Sequence, residues 1–239
     1  GVALAAMGQA FFSLSLGMGC MITYSSYLSK DENLVSNAFI VPGMDTLVAI
    51  LAGMVIIPAA ISFNFEVGAG PGLVFVTVPA IFATMGPVVG KLFGIIFFVL
   101  IALAAITSSI SLLEVIVSYL IDEKNMTRKK AVGATSVILF IMCIAASMSL
   151  GDWSGFTILG NGIFDTFDKI TTFITMPLGG LFISLFVGWF WGKEKAKNEV
   201  TNNGTVKFAL FDVWFFLCKW VIPAIILVIF ITGIPSFPG

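Results

Sequence analysis

GQAFFSLSLGMGCMITYSSYL, residues 8–28, decides how the chain is read. Its flanks are apolar enough for a lipid bilayer, yet Ser13, Ser15, Gly17 and Gly19 alternate through its middle. Glycine in a helix interior costs about 1 kcal/mol relative to alanine. Serine competes with the backbone for hydrogen bonds. A helix broken there frees N–H and C=O groups at mid-membrane, and something must satisfy them. One outcome is a kinked packing helix with close glycine contacts. The other is a binding site, because the ends of two half-helices present oriented dipoles and unwound carbonyls to ligands.

Composition supports the membrane setting. The 239 residues are 59% hydrophobic and 10% charged, with no histidine, and the mean hydropathy is +1.08. Soluble domains average about 25% charged residues, so the chain is an all-α integral membrane protein. A net charge of −1 gives no electrostatic footprint for nucleic acid. Cys20, Cys143 and Cys218 lie in apolar runs without metal or redox spacing, and read as small core residues. The opening GVALAAMGQAFF already has the character of a span, so a segment of a longer chain is expected.

A span takes about 20 apolar residues. Six are expected: 1–28 with a break at about 15–19, 39–63, 88–121, 131–150, 164–190 and 206–232. Segment 64–87 is too apolar for a plain loop. It reads as a GAGPG turn followed by a short helix, an outer cap. A second outer loop, 151–165, is rich in turn formers. Lys30, then Lys124 to Lys130, then Lys193 to Lys207 follow alternate spans, so those loops face the cytoplasm. The chain is expected to be multi-pass in the plasma membrane.

Charged groups within spans cost roughly 2.5 kcal/mol or more and usually face protein or a water-filled path. The candidates are Asp45, Glu114, Asp165, Asp168 and Lys219. In AAITSSISLLE, Ala104, Thr107, Ser108 and Ser111 share one helix face. Such a face either packs helices closely or offers oxygen to a hard cation.

Four stretches together resemble the neurotransmitter:sodium symporter family, bacterial branch. Residues 8–28 look like its broken sixth helix and DTLVAILAGMVIIP (45–58) like its seventh. AAITSSISLLEVIVSYLIDE (104–123) looks like its eighth and FDTFDKITTFITMPLGGL (164–181) like its tenth. The resemblance implies the inverted-repeat sodium symporter fold. The chain would be the second repeat plus one further helix, and the first five helices of the same transporter its partner.

The resemblance also implies residue roles. Ser13 and Asp45 match the first sodium site, where Asp45 replaces a usual asparagine. That carboxylate stands in for the chloride of animal relatives, so chloride independence is expected; Gln9 matches the chloride-site pattern and Ala49 departs from it. Ala104 through its carbonyl, Thr107 and Ser108 match the second sodium site. Phe12, Ser13, Ser15, Met18, Ser108 and Leu112 match the substrate pocket. There Phe12 is a lid and Met18 a pliable wall that admits aliphatic and aromatic side chains. Asp168 matches an outer gate, and Asp122 and Tyr27 an inner one. Glu114 and Lys219 receive no role. The implied function is symport of hydrophobic amino acids with two Na+ ions by alternating access, without enzymatic chemistry. An ion-conducting channel and a non-transporting scaffold or receptor are the alternatives.

Overall fold

The computed structural model describes residues 2–29, 32–63, 70–158 and 160–233. Turn residues 64–69 of the expected outer cap, and Lys30, lie outside the described residues. Helices α1 (Val2–Ser13) and α2 (Cys20–Tyr27) flank the Ser/Gly stretch. Then follow α3 (Leu34–Ser62), the short α4 (Leu73–Thr84), α5 (Val89–Asp122) and α6 (Arg128–Ser149). A two-stranded antiparallel ribbon, β1 (Thr157–Ile158) and β2 (Asn161–Gly162), precedes α7 (Ile163–Trp191), α8 (Lys193–Val200) and α9 (Phe211–Gly233). Five of these helices, α3, α5, α6, α7 and α9, are long and apolar enough to cross a membrane. Neither half of the broken segment is, with 12 and 8 residues.

Some boundaries differ from the hydropathy reading for local reasons. Helix α3 begins before Phe39 because the Asn33 side chain accepts the Ser36 N–H at 3.0 Å, an N-cap that hydropathy does not register. Helix α9 begins at Phe211, after the irregular 206–210. The ribbon was not expected: Gly160 has φ 83°, which lets so short a turn close.

The chain divides into two compact units, 39–110 and 1–38 with 111–239. In the first, Phe82 of α4 packs edge-on against Phe97 of α5, with centroids 5.5 Å apart. Gly90 lets the backbones meet, since a Cβ there would lie 2.0 Å from the Phe82 carbonyl oxygen. Between α3, α4 and α5 lies an apolar cavity of about 480 Å³, lined by Val48, Val55, Ile81, Phe82 and Phe97 among others.

In the second unit, α1 packs on α7 and α9. Ala196 of α8 is buried against Phe211 and Phe215, which seats α8 across the start of α9. Its Lys193 meets Asp212 at 2.8 Å. That hydrogen bond raises the Lys193 pKa, but both groups are exposed, and such pairs add little stability.

Three helices contain a widened π turn two residues before a proline. Leu73–Thr77 precedes Pro79, Thr171–Thr175 precedes Pro177, and Leu217–Val221 precedes Pro223. Proline has no N–H and its ring clashes with the carbonyl four residues back. A wider turn relieves the clash without breaking the helix.

At α9 the freed carbonyls are recaptured by α7. Pro223 lies five residues after Cys218 and four after Lys219, where a π or an α turn would otherwise supply a donor. Ser184 Oγ donates to the Cys218 oxygen at 2.7 Å, and Trp189 Nε1 to the Lys219 oxygen at 3.2 Å. Lys219 Nζ then sits 4.5 Å from the Trp189 ring centroid, a cation–π contact.

Ser184 is buried, so Ser184→Ala leaves that carbonyl unsatisfied at a cost of about 1 kcal/mol. The expected outcome is a fall of a few degrees in the thermal midpoint of the full-length protein in detergent. Pro223→Ala restores a backbone donor and makes the serine substitution nearly neutral. Additive losses in the double variant contradict this account.

Candidate functional site around the broken helix

The break spans residues 14–19. Helix α1 ends in a Schellman turn: Leu16 N–H donates to the Phe11 oxygen at 2.9 Å and Ser15 N–H to the Phe12 oxygen at 3.1 Å. The left-handed position is Ser15, with φ 52°, where glycine is the usual occupant. A β-carbon there costs about 1 kcal/mol. Gly17 and Gly19 follow at φ 77° and 82°. The ladder resumes when Thr23 N–H donates to the Gly19 oxygen at 3.0 Å. The carbonyls of Leu14 to Met18 and the N–H groups of Gly17 to Ile22 therefore belong to neither helix's ladder.

The break rests on α7 with no side chain between. A Cβ on Gly17 would lie 2.2 Å from the Met176 oxygen, and one on Gly179 would lie 2.1 Å from the Gly17 oxygen. Both readings of the stretch meet here: the helix is broken, and its glycines allow close contact. Beside the break, α1, α2, α7 and α9 border an open cavity of about 290 Å³ that Ser15, Gly17, Ile183, Val187 and Ile226 help to line.

Helix α2 presents one face to α5. Cys20, Tyr24 and Tyr27 fall at i, i+4 and i+7. Cys20 Sγ lies 4.0 Å from the Ser111 oxygen, Tyr24 OH hydrogen-bonds Ser111 Oγ, and Tyr27 OH donates to Glu114 Oε1 at 2.8 Å. Arg128, at the start of α6, grips Glu114 with its two terminal guanidinium nitrogens, at 3.0 and 2.8 Å. A bidentate pair of this kind fixes direction as well as charge. Glu114, without a role in the sequence reading, is thus the shared partner of Tyr27 and Arg128. By sequence Arg128 is one of the cations in the basic stretch from Lys124 to Lys130. Its spacing from Glu114 says nothing of contact, because a helix end and a turn intervene.

The remaining residues fall into place unit by unit. Phe12 is half-exposed, and Ser13, Ser15 and Met18 follow it through the break. These belong to the unit that also holds Leu112, Asp122, Tyr27 and Asp168. The other unit holds Asp45, partly buried in α3, and Ala104, Thr107 and Ser108 of α5. Thr107 Oγ1 donates to the Ala104 oxygen at 2.9 Å and the Leu103 oxygen at 3.2 Å. A hydroxyl that donates its proton can still accept through its lone pairs, so this turn suits a hard cation. Asp168 is exposed on α7. The first turn of α7 is anchored by Thr166 Oγ1 to the Gly162 oxygen at 2.8 Å, and by Ser149 Oγ, which accepts the Phe164 N–H at 3.0 Å.

Known proteins share this architecture. The crystal structure of MhsT in complex with L-phenylalanine superimposes with a TM-score of 0.87 at 40% identity, over 98% of this chain and 52% of that one. An uncharacterized sodium-dependent transporter of Haemophilus influenzae is 42% identical over 95% of this chain and 49% of its own length. The uncharacterized sodium-dependent transporter YhdH of Bacillus subtilis is 37% identical over 98% of this chain and 52% of its own. The chain spans about half the length of these relatives. Residues 1–238 match the family described as the sodium:neurotransmitter symporter family, and the chain belongs to that family.

Proposed function

We propose that the chain is the part of a sodium-coupled symporter that carries one broken helix, and that the cargo is a hydrophobic amino acid. The observation that carries this reading is the likeness to MhsT with L-phenylalanine bound, over nearly all of this chain. No bond is made or broken in such a transport cycle, so the protein is not an enzyme.

The residue roles follow from the resemblance and the local chemistry. Ser13 and Asp45 supply oxygen to one sodium ion; the Ala104 carbonyl, Thr107 and Ser108 supply it to a second. Phe12, Ser13, Ser15, Met18, Ser108 and Leu112 contact the substrate, and Asp168 closes the outer path. Asp122 acts at the inner path with Tyr27. Backbone groups outside the helical ladders meet the charged ends of the amino acid, as half-helix termini do for ions. Two sodium ions moving down a membrane potential release about 2.3 kcal/mol per charge per 100 mV, which drives uptake against a gradient.

The carboxylate of Asp45 provides the negative charge that an anion would otherwise bring, so uptake is chloride-independent. At the inner end, Tyr27 belongs with Glu114 and Arg128. The three tie α2 to α5 and α6 and hold the cytoplasmic half-helix in place.

The full-length protein in proteoliposomes tests the reading. Uptake of L-phenylalanine is expected to need sodium and to persist when gluconate replaces chloride. Asp45→Ala abolishes it, and Asp45→Asn makes it respond to chloride. Met18→Phe lowers acceptance of aromatic substrates relative to leucine by roughly tenfold. Sodium-independent ion flux favours a channel, and absence of any flux favours a scaffold or receptor.

The inner cluster has its own readout, because Cys20 is buried on α2 beside Ser111. In a background without Cys143 and Cys218, Glu114→Gln is expected to speed Cys20 alkylation several-fold. An unchanged rate contradicts the role given to Glu114.

A further inference from the structure

Helix α7 carries Pro177, Leu178, Gly179 and Gly180 where the break rests on it. Two adjacent glycines in a helix interior cost about 1 kcal/mol each relative to alanine, and neither Gly179 nor Gly180 adopts a positive φ that would require glycine. Their use lies in what they touch. A Cβ on Gly179 would meet the Gly17 oxygen at 2.1 Å and its carbonyl carbon at 3.0 Å. A Cβ on Gly180 would meet Phe11 Cε1 at 2.6 Å.

Small residues commonly let membrane helices approach. Here the opposing surface is the unwound backbone itself, between Ser15 and Met18. That segment has no helical ladder to fix its position. Its depth is set by contact, and the contact has backbone on both sides, which cannot rotate away as a side chain can.

We propose that Gly179 and Gly180 are positioning residues for the substrate pocket: their bare backbone seats the break and sets where Ser15 and Met18 meet the cargo. This rests on the reading of the break as a substrate-binding segment. Adding a methyl group at Gly179 forces the Gly17 carbonyl back by more than about 1 Å, from 2.1 Å, to reach ordinary van der Waals distance. A displacement of that size at a binding site can cost a hundredfold. Gly180 faces the edge of the Phe11 ring, which can turn, so a methyl there has a smaller effect.

The same helix provides a control. Gly188 is comparably tight, since a Cβ would lie 2.7 Å from the Lys219 Cα. It packs on α9, about two turns of helix beyond the break, at 1.5 Å per residue. Gly188→Ala therefore reports helix packing alone.

In the full-length protein, thermal midpoint and sodium-dependent competition by L-phenylalanine and L-leucine are measured together. Gly179→Ala is expected to weaken phenylalanine binding about tenfold or more and to change the phenylalanine-to-leucine ratio. Gly188→Ala is expected to lower the midpoint and leave that ratio within about twofold. Gly180→Ala shifts the ratio less, and adding Phe11→Leu restores it; this pair decides if Gly179→Ala does not fold. Equal ratios in wild type, Gly179→Ala and Gly180→Ala overturn the proposal while the symporter reading stands. Absence of sodium-dependent binding in the wild type overturns both.

Discussion

Every polar backbone group in a hydrocarbon setting needs a partner inside the protein, and this one constraint organises the chain. Helices satisfy it along most of the spans. The departures occur at particular residues, and each has its own remedy. Proline removes a donor, and the helix answers with a wider turn before Pro79, Pro177 and Pro223. Where widening leaves carbonyls over, as at Cys218 and Lys219, side chains of α7 take them up. The break at 14–19 differs in kind. Its backbone groups are set out of both ladders at a small cost in conformation and then held against α7. The proline defects are repaired within their own helices or by a neighbour, whereas the break is seated by backbone contact with α7.

Much of the helical plan was legible because hydropathy and length are coarse, additive signals. The alternation of Ser and Gly in residues 13–19 marked the interruption, since no other pattern there places so many poor helix formers within an apolar run. The π turns left no comparable mark. Three of them precede a proline in a helix that continues, a fourth at Phe186–Trp191 of α7 has no proline after it, and Pro42 and Pro58 lie within α3 without one. The small ribbon at 157–162 depends on one left-handed glycine and on contacts with the start of α7, which composition does not register.

The site was legible to a different degree. Residues near one another in sequence, such as Ala104, Thr107 and Ser108, could be set on one helix face by spacing alone. Groups that meet across the fold could not. Tyr27 and Glu114 are 87 positions apart, and Glu114 gained its partners only when α2, α5 and α6 were brought together. Lys219 is similar: its place between Trp189 and Trp220 follows from the crossing of α7 and α9 at Gly188, where glycine lets the backbones approach. A lone charge in a span announces that a partner is needed, not which one.

The two halves of the broken helix are held by different neighbours. Helix α1 lies on α7 and α9, with Phe11 against Gly180. Helix α2 is tied to α5 and α6 by the aligned Cys20, Tyr24 and Tyr27 and by the Glu114–Arg128 pair. The contacts of α1 at its end are apolar and backbone-mediated, so they change little with charge or hydration. Those of α2 are hydrogen bonds, from Cys20 and Tyr24 to Ser111 and from Tyr27 to the Glu114 carboxylate, which a largely exposed arginine also grips, so water and nearby charge act on that end directly. Between the two sets the helical ladder is interrupted only at 14–19, and rotation about that stretch costs no helical hydrogen bond. One half-helix is thus held by packing and the other by polar contacts that can be exchanged, with a joint between them that belongs to neither ladder.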